Sequence, residues 1–126
     1  MNREIVSTEG APAAIGPYSQ AVRTGLVVFL SGQIAIDPKT QAMVEGGFEA
    51  QARQALKNLE AVAAASGGSL KNAVKLTLYL TDLGNFSVAN RVMEEFFSAP
   101  FPARATVGVA ALPRGALFEI DAILVL

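Results

Sequence analysis

An arginine and a glutamate in the last quarter of this 126-residue chain are the side chains best suited to chemistry. The segment Phe101-Pro102-Ala103-Arg104-Ala105-Thr106-Val107-Gly108-Val109 places Arg104 at the head of a short apolar run. A guanidinium keeps its proton in a protein, so burial does not neutralise it. At the start of a buried strand Arg104 therefore calls for an anion, supplied by the protein or by a ligand carboxylate. The segment Leu117 to Leu126 offers a protein anion. By strand parity Glu119 shares a face with Asp121 and opposes Phe118, Ile120, Ala122 and Leu124. A carboxylate on an apolar strand loses solvation, and its pKa climbs unless a cation or donors hold it ionised. General acids and bases are prepared in this way. Two readings stand side by side. Glu119 is the structural counter-ion of Arg104, or it is free to move protons while Arg104 grips a ligand. Asp121 reads as a surface or interface carboxylate.

Other residues each carry a functional and a bland reading. Gly16-Pro17-Tyr18-Ser19-Gln20 sets a phenol on a stiff loop, to line a pocket or to fold over the core. Ser31-Gly32-Gln33 interrupts an apolar strand. A glycine there permits a bulge or a close backbone approach, for packing or for a ligand. Asn90 lies inside a helical pattern, where an asparagine is usually just exposed. Lys39, Arg53, Lys57 and Lys71 read as solvated. Gly67-Gly68-Ser69 follows a helix and lacks the strand and the Lys-Ser/Thr ending of a phosphate loop, so it is not read as a nucleotide site.

Composition removes whole classes of mechanism. The chain has no Cys, no His and no Trp. Cysteine or serine nucleophiles paired with histidine are excluded, and a zinc site lacks its usual ligands. No disulfide can form, as suits a reducing compartment. Acid–base work falls to Asp, Glu, Tyr, Lys or water. The net charge of −1 creates no field that would draw nucleic acid or an anionic membrane. The N-terminus lacks a signal-peptide pattern, and the apolar run at Leu26 to Leu30 is far short of the ~20 residues that span a bilayer. A cytoplasmic protein without membrane contact is expected. Charged residues are only 17% of the chain, against about 25% in typical soluble domains. That shortfall points to apolar surface hidden between subunits.

The elements that must hold these residues follow from periodicity. The length suits one domain, residues 1–126. Thr8 to Ser19 reads as a loop. Strands are expected at Gln20 to Arg23 and Leu26 to Ile36, joined at Thr24-Gly25, with a turn at Asp37-Pro38-Lys39-Thr40. Phe48 to Ser66 is a helix with Phe48, Ala52, Ala55, Leu56, Leu59, Val62 and Ala63 on one face, stopped by Gly67-Gly68. Val74 to Thr81 alternates as a strand, with Val74, Leu76, Leu78 and Leu80 facing one way. Asn85 is placed to cap a second helix with an apolar stripe of Phe86, Ala89, Val92, Met93, Phe96 and Phe97, ended by Pro100. Strands near Arg104 to Val109 and Leu117 to Val125 complete the chain. The segment from Val74 to Val109 is a βαβ crossover with parallel strands. The product is an α+β fold: one mixed sheet with both helices on a single face. The opposite face, half polar, is left for solvent or for a subunit interface.

Taken together, Ala14-Ile15-Gly16-Pro17-Tyr18-Ser19-Gln20-Ala21, Leu30-Ser31-Gly32-Gln33-Ile34, Thr81-Asp82-Leu83 with Phe86, Phe101 to Val107 and Glu119-Ile120 resemble the RidA (YjgF) family over essentially the whole chain. The resemblance implies a chorismate-mutase-like, six-stranded mixed sheet with two helices packed on one face. It implies a homotrimer with ligand clefts between subunits. It also implies hydrolytic deamination of 2-imino acids and enamines, such as 2-iminobutanoate and 2-iminopropanoate, to 2-oxo acids and ammonia. No cofactor and no metal are called for. On this likeness Arg104 binds the substrate carboxylate and Glu119 activates water. Tyr18, Ser31, Gly32, Asn90 and Thr106 line the cleft; Thr106 stands where relatives often carry Cys. The alternatives are a non-catalytic sensor or carrier of small 2-oxo or amino-acid-like carboxylates, and an endoribonuclease, which the near-neutral charge disfavours.

Overall fold

The computed structural model describes residues 2–126. In chain order its strands and helices are β1 (Glu4–Val6), β2 (Ala21–Thr24), β3 (Val27–Gln33), β4 (Ile36–Asp37), β5 (Ala42–Met43), α1 (Gly47–Ala65), β6 (Ala73–Leu80), α2 (Phe86–Phe96), β7 (Ala103–Gly108) and β8 (Phe118–Val125). Six strands form one sheet in the order β1-β2-β3-β8-β6-β7, and β4 pairs with β5 as a separate ribbon. Only β6 and β7 are parallel, joined through α2, so the sheet is mixed as expected. β1 was not expected from the residue pattern. Two of its three residues are exposed, so it shows no alternation to read.

Helix α1 forms where its apolar stripe demands. Phe48, Ala52, Ala55, Leu56, Leu59, Val62 and Ala63 are all buried. Its end is a Schellman closure: Gly67 N donates to Ala64 O and Gly68 N to Ala63 O, with Gly67 at φ 94°. The stripe packs on Val28 and Leu30 of β3, Leu76, Leu78 and Leu80 of β6, and Phe118, Ile120, Ala122 and Leu124 of β8. Helix α2 adds Ala89, Val92 and Met93 to the same core. Both helices thus cover one face of the sheet. Thr77, Tyr79, Glu119, Asp121 and Ile123 lie half-buried on the other.

Four local expectations are corrected. The run from Leu26 to Ile36 is not continuous. β3 ends at Gln33 after a bulge between Leu30 and Gln33, and Ile36 starts the short ribbon. Val74 does not share the face of Leu76. A bulge between Ala73 and Lys75 turns Val74 to solvent, and Ala73 packs against the core instead. Asn85 occupies the N-cap position of α2 but makes no capping bond. Asp82 does that work one turn earlier, its Oδ1 accepting from Gly84 N at 2.8 Å. Phe97 is buried, yet it lies beyond the end of α2.

Buried amides fix the irregular segments. The Gln20 carboxamide accepts from Thr8 N at 2.7 Å and donates to Pro12 O at 2.7 Å, which pins the loop leading to Tyr18. Asn58, 1% exposed, donates to Ile34 O at 3.1 Å and Ile36 O at 2.8 Å. Gln51 Oε1 accepts from Leu117 N at 2.8 Å just before β8. Each satisfies backbone groups that lost their ladder partners. Among the described residues no helix is long and apolar enough to cross a membrane. Leu78→Ala, beneath both helices, is expected to cost about 2–5 kcal/mol. The denaturation midpoint should fall at unchanged slope, and a change below that range would mean the site collapses to fill the cavity.

Candidate functional site

Glu119 projects from β8 on the face that the helices leave uncovered, in register with Tyr79 of β6. Its carboxylate lies against the backbone of Gly32 in the β3 bulge. A Cβ added at Gly32 would collide with Glu119 Oε2. The glycine is thus both a bulge and a close approach, and what it admits is the carboxylate. Glu119 and Gly32 line a cleft of about 530 Å³ with Ser31, Tyr18, Ile15, Ile34 and Pro113. The wall is mostly apolar, and burial pushes the Glu119 carboxyl above the ordinary carboxylate range. The neighbouring Asp121 charge pushes it further the same way. Asp121 itself accepts a hydrogen bond from the Tyr79 hydroxyl at 2.8 Å, which raises the Tyr79 pKa. Asp121 is therefore a half-buried partner of Tyr79, with an influence on Glu119 through space.

The other cleft residues have defined duties. Ser31 Oγ donates to Ser19 O at 2.6 Å, and Ser31 N donates to Gln20 O, tying the Tyr18 loop to the bulge. The Ser31 hydroxyl is thereby held by the loop. Tyr18 remains exposed, its hydroxyl accepting only a long 3.4 Å bond from Ile15 N.

Arg104 is elsewhere. β7 is the edge strand of the sheet, and Arg104 is exposed, so the expected buried cation is not found. In the β6–β7 ladder Arg104 is level with Leu76, whose side chain faces the helices. Arg104 and Glu119 therefore stand on opposite faces of one sheet. The reading of Glu119 as its structural counter-ion fails on strand parity. Among the described residues no carboxylate lies within ion-pair distance of Arg104; the three ion pairs join Arg53 and Arg91 to Glu49 and Glu95. Arg104 instead donates from Nη1 to Asn90 Oδ1 at 2.7 Å and stacks over the Phe86 ring, 5.3 Å from its centroid. It opens on a second cleft of about 300 Å³ with Asn90, Met93, Glu94, Phe101 and Pro102.

Thr106 lies on the same side of β7 as Arg104, and its hydroxyl is buried without a partner. The predicted residues thus fall into two groups. Tyr18, Ser31, Gly32 and Glu119 converge in one cleft. Arg104, Asn90 and Thr106 gather at the β7 edge. Phe86, part of the apolar stripe and of the family resemblance, was not among the expected site residues. Its spacing of four from Asn90 on a helix start was the available signal. No cluster of three metal-ligating side chains occurs among the described residues. Gly32→Ala should push the flexible end of Glu119 into solvent while changing stability by about 1 kcal/mol or less. Carbon-detected titration of the Glu119 carboxyl is expected to show its pKa falling toward the ordinary range. An unmoved titration would mean that Gly32 does not set that environment.

Comparison with known proteins places the chain in a family and matches its fold. The family model described as Endoribonuclease L-PSP matches residues 8–126. The RutC family protein y4sK from Sinorhizobium fredii is 51% identical, over 96% of this chain and 96% of its own length. A Dermatophagoides farinae protein named 2-iminobutanoate/2-iminopropanoate deaminase is 48% identical, over 98% of this chain and 97% of its own. The crystal structure of RidA from an Antarctic Psychrobacter superposes with a TM-score of 0.95 at 49% identity, covering 98% of this chain and 99% of that one. With the family model spanning nearly all of its length, and with the mixed sheet of RidA beneath two helices, the chain belongs to the Endoribonuclease L-PSP family, known also as RidA/YjgF.

Proposed function

We propose that this protein hydrolyses 2-imino acids and their enamine tautomers to 2-oxo acids and ammonia, in clefts completed between subunits of a homotrimer. The observation that carries the reading is Glu119: a half-buried carboxyl in an apolar cleft, raised in pKa, with no cation paired to it among the described residues. The deaminase name of a relative 48% identical over almost the whole chain supports the substrate class. An iminium carbon is already electrophilic, so it needs a placed water and a proton shuttle. Glu119 takes a proton as water oxygen bonds to C2, and a carbinolamine forms. Glu119 returns that proton to the amine nitrogen. Glu119 then takes the hydroxyl proton as that oxygen becomes the carbonyl and the C–N bond breaks. The ammonia released carries this proton away as ammonium, and Glu119 is ionised again. A carboxyl shifted upward in pKa holds its proton more firmly and so serves as acid as well as base. Arg104 holds the substrate carboxylate, since its planar fork matches that group bidentately. Tyr18 and the backbone of Gly32 flank the reacting carbon, and Thr106 and Asn90 border the carboxylate end.

Arg104 and Glu119 face opposite sides of one sheet, so a single chain does not bring them to one ligand. A threefold ring does so if the β7 edge of one subunit meets the uncovered face of the next. In a threonine-dehydratase-coupled assay, Glu119→Gln should lose about 10²–10⁴-fold in kcat/KM, and Arg104→Ala should lose chiefly in KM. Wild-type protein no faster than buffer would overturn the deaminase reading, and retained binding of 2-oxobutanoate would then identify a carboxylate sensor. Co-assembly of the two inactive chains tests the shared cleft. Every mixed ring holds one intact pair of Arg104 and Glu119, so random mixing should recover about a quarter of wild-type activity. No recovery would exclude a cleft shared between chains.

The pH profile follows from the same carboxyl. Activity should rise with pH through the elevated Glu119 pKa, because only the ionised form accepts the water proton. Asp121→Asn removes the smaller of the two causes of elevation, so the acid limb should move to lower pH. An acid limb that stays in place would assign it to another group.

A further inference from the structure

The Arg104 guanidinium is held by two neutral groups, and this arrangement has its own consequence. Phe86 and Asn90 are one helical turn apart on α2, so their side chains emerge on the same side of the helix. Both meet Arg104. The Phe86 ring lies beneath the guanidinium carbon at 5.3 Å, and Asn90 Oδ1 accepts from Nη1 at 2.7 Å. The turn Thr81-Asp82-Leu83-Gly84-Asn85, braced by the Asp82-to-Gly84 bond, sets the start of α2 so that Phe86 reaches the β7 edge. A carboxylate is close by: Glu94 of α2 lines the same cleft, yet it makes no ion pair with Arg104. On the same helix Arg91 pairs with Glu49 of α1 and Glu95 with Arg53 of α1, so α2 does not lack ion pairs in general.

We infer that Phe86 and Asn90 are positioning residues that lay the Arg104 guanidinium flat at the β7 edge while leaving its charge unneutralised for a ligand carboxylate. The physics is that of choosing neutral partners. A carboxylate partner would fix the side chain equally well but would cancel its field and occupy its fork. An aromatic face and an amide oxygen remove rotamer freedom without adding a formal charge. One Nη1 donor is used by Asn90, and the remaining guanidinium donors stay available for a bidentate pair. Lysine has no plane to lie on the ring and no fork, so Arg104→Lys should not restore binding. The inference rests on the proposed role of Arg104 and deepens it.

Steady-state kinetics with enzymatically generated 2-iminobutanoate, together with calorimetry using 2-oxobutanoate, test the inference in the assembled wild-type protein and its variants. Phe86→Leu should raise KM and the dissociation constant about 2–5-fold with kcat within about twofold, the effect of an exposed cation–π contact. Phe86→Tyr keeps the ring face and should restore both constants. Asn90→Asp is nearly isosteric and strengthens the bond to Arg104, yet it supplies the missing negative charge. It should raise KM at least about tenfold without lowering thermal stability. Phe86 is 41% exposed, so these variants are expected to fold, with melting temperatures near wild type. Wild-type KM in both Phe86→Leu and Asn90→Asp, or a loss confined to kcat, would overturn the inference. If Arg104→Ala itself leaves KM and 2-oxobutanoate binding unchanged, the role of Arg104 fails, and the positioning role falls with it.

Discussion

Strand β8 lies between β3 and β6, and its two-residue periodicity is the constraint on which the rest depends. Phe118, Ile120, Ala122 and Leu124 are sealed under the helices, so Glu119, Asp121 and Ile123 must emerge on the opposite face. A slip of one residue would exchange the two sets and bury two carboxylates in the dry core, at a prohibitive cost in desolvation. The position of Glu119 is therefore enforced by the packing of its neighbours. The core sets the site, and the site in turn inherits the rigidity of the central strand.

Around that strand the irregular features have a common purpose. The bulge in β3 gives Glu119 a glycine to lie against. Ser31 ties the bulge to the Tyr18 loop, Gln20 pins that loop from within, and Asn58 holds the chain as it leaves the bulge. These polar groups are buried or half-buried and are satisfied by backbone, as buried amides must be. The Thr106 hydroxyl is the exception, a buried oxygen without a partner at the β7 edge. That edge also carries Arg104, whose neutral cradle contrasts with the fully paired Arg53 of α1. The two arginines meet different partners: Arg53 clamps α1 to α2 through carboxylates, and Arg104 rests on an amide oxygen and an aromatic ring.

Residue pattern made much of the fold legible. Helix α1 carries an uninterrupted apolar stripe and a glycine stop, so both its existence and its end could be read. The alternation of Leu76, Leu78 and Leu80 marked β6, and its link through α2 to β7 implied the parallel pair. Glu119 stood out because a carboxylate on an apolar strand is costly wherever that strand lies. The misreadings share one cause. Val74, the break after Gln33 and the uncapped Asn85 depend on bulges and on which nearby group wins a backbone donor. Strand periodicity is blind to one extra residue, and capping residues compete with neighbours equally able to cap.

Residue types and spacing by themselves determined the order of the two helices and of five of the six sheet strands, the two-faced sheet, the absence of histidine and cysteine chemistry, and the choice of Arg104 and Glu119 as the side chains best suited to chemistry. Only the tertiary structure decided how that pair is related. Register between strands is set by packing across the sheet, and no periodicity within β7 or β8 records it. The ladder puts Arg104 level with Leu76 and Glu119 level with Tyr79, on opposite faces. It also put Arg104 on an exposed edge, where the argument from burial no longer applies and the partners of the guanidinium are an aromatic ring and an amide. Long-range geometry thus separated the two residues of a possible ion pair onto opposite faces of one sheet.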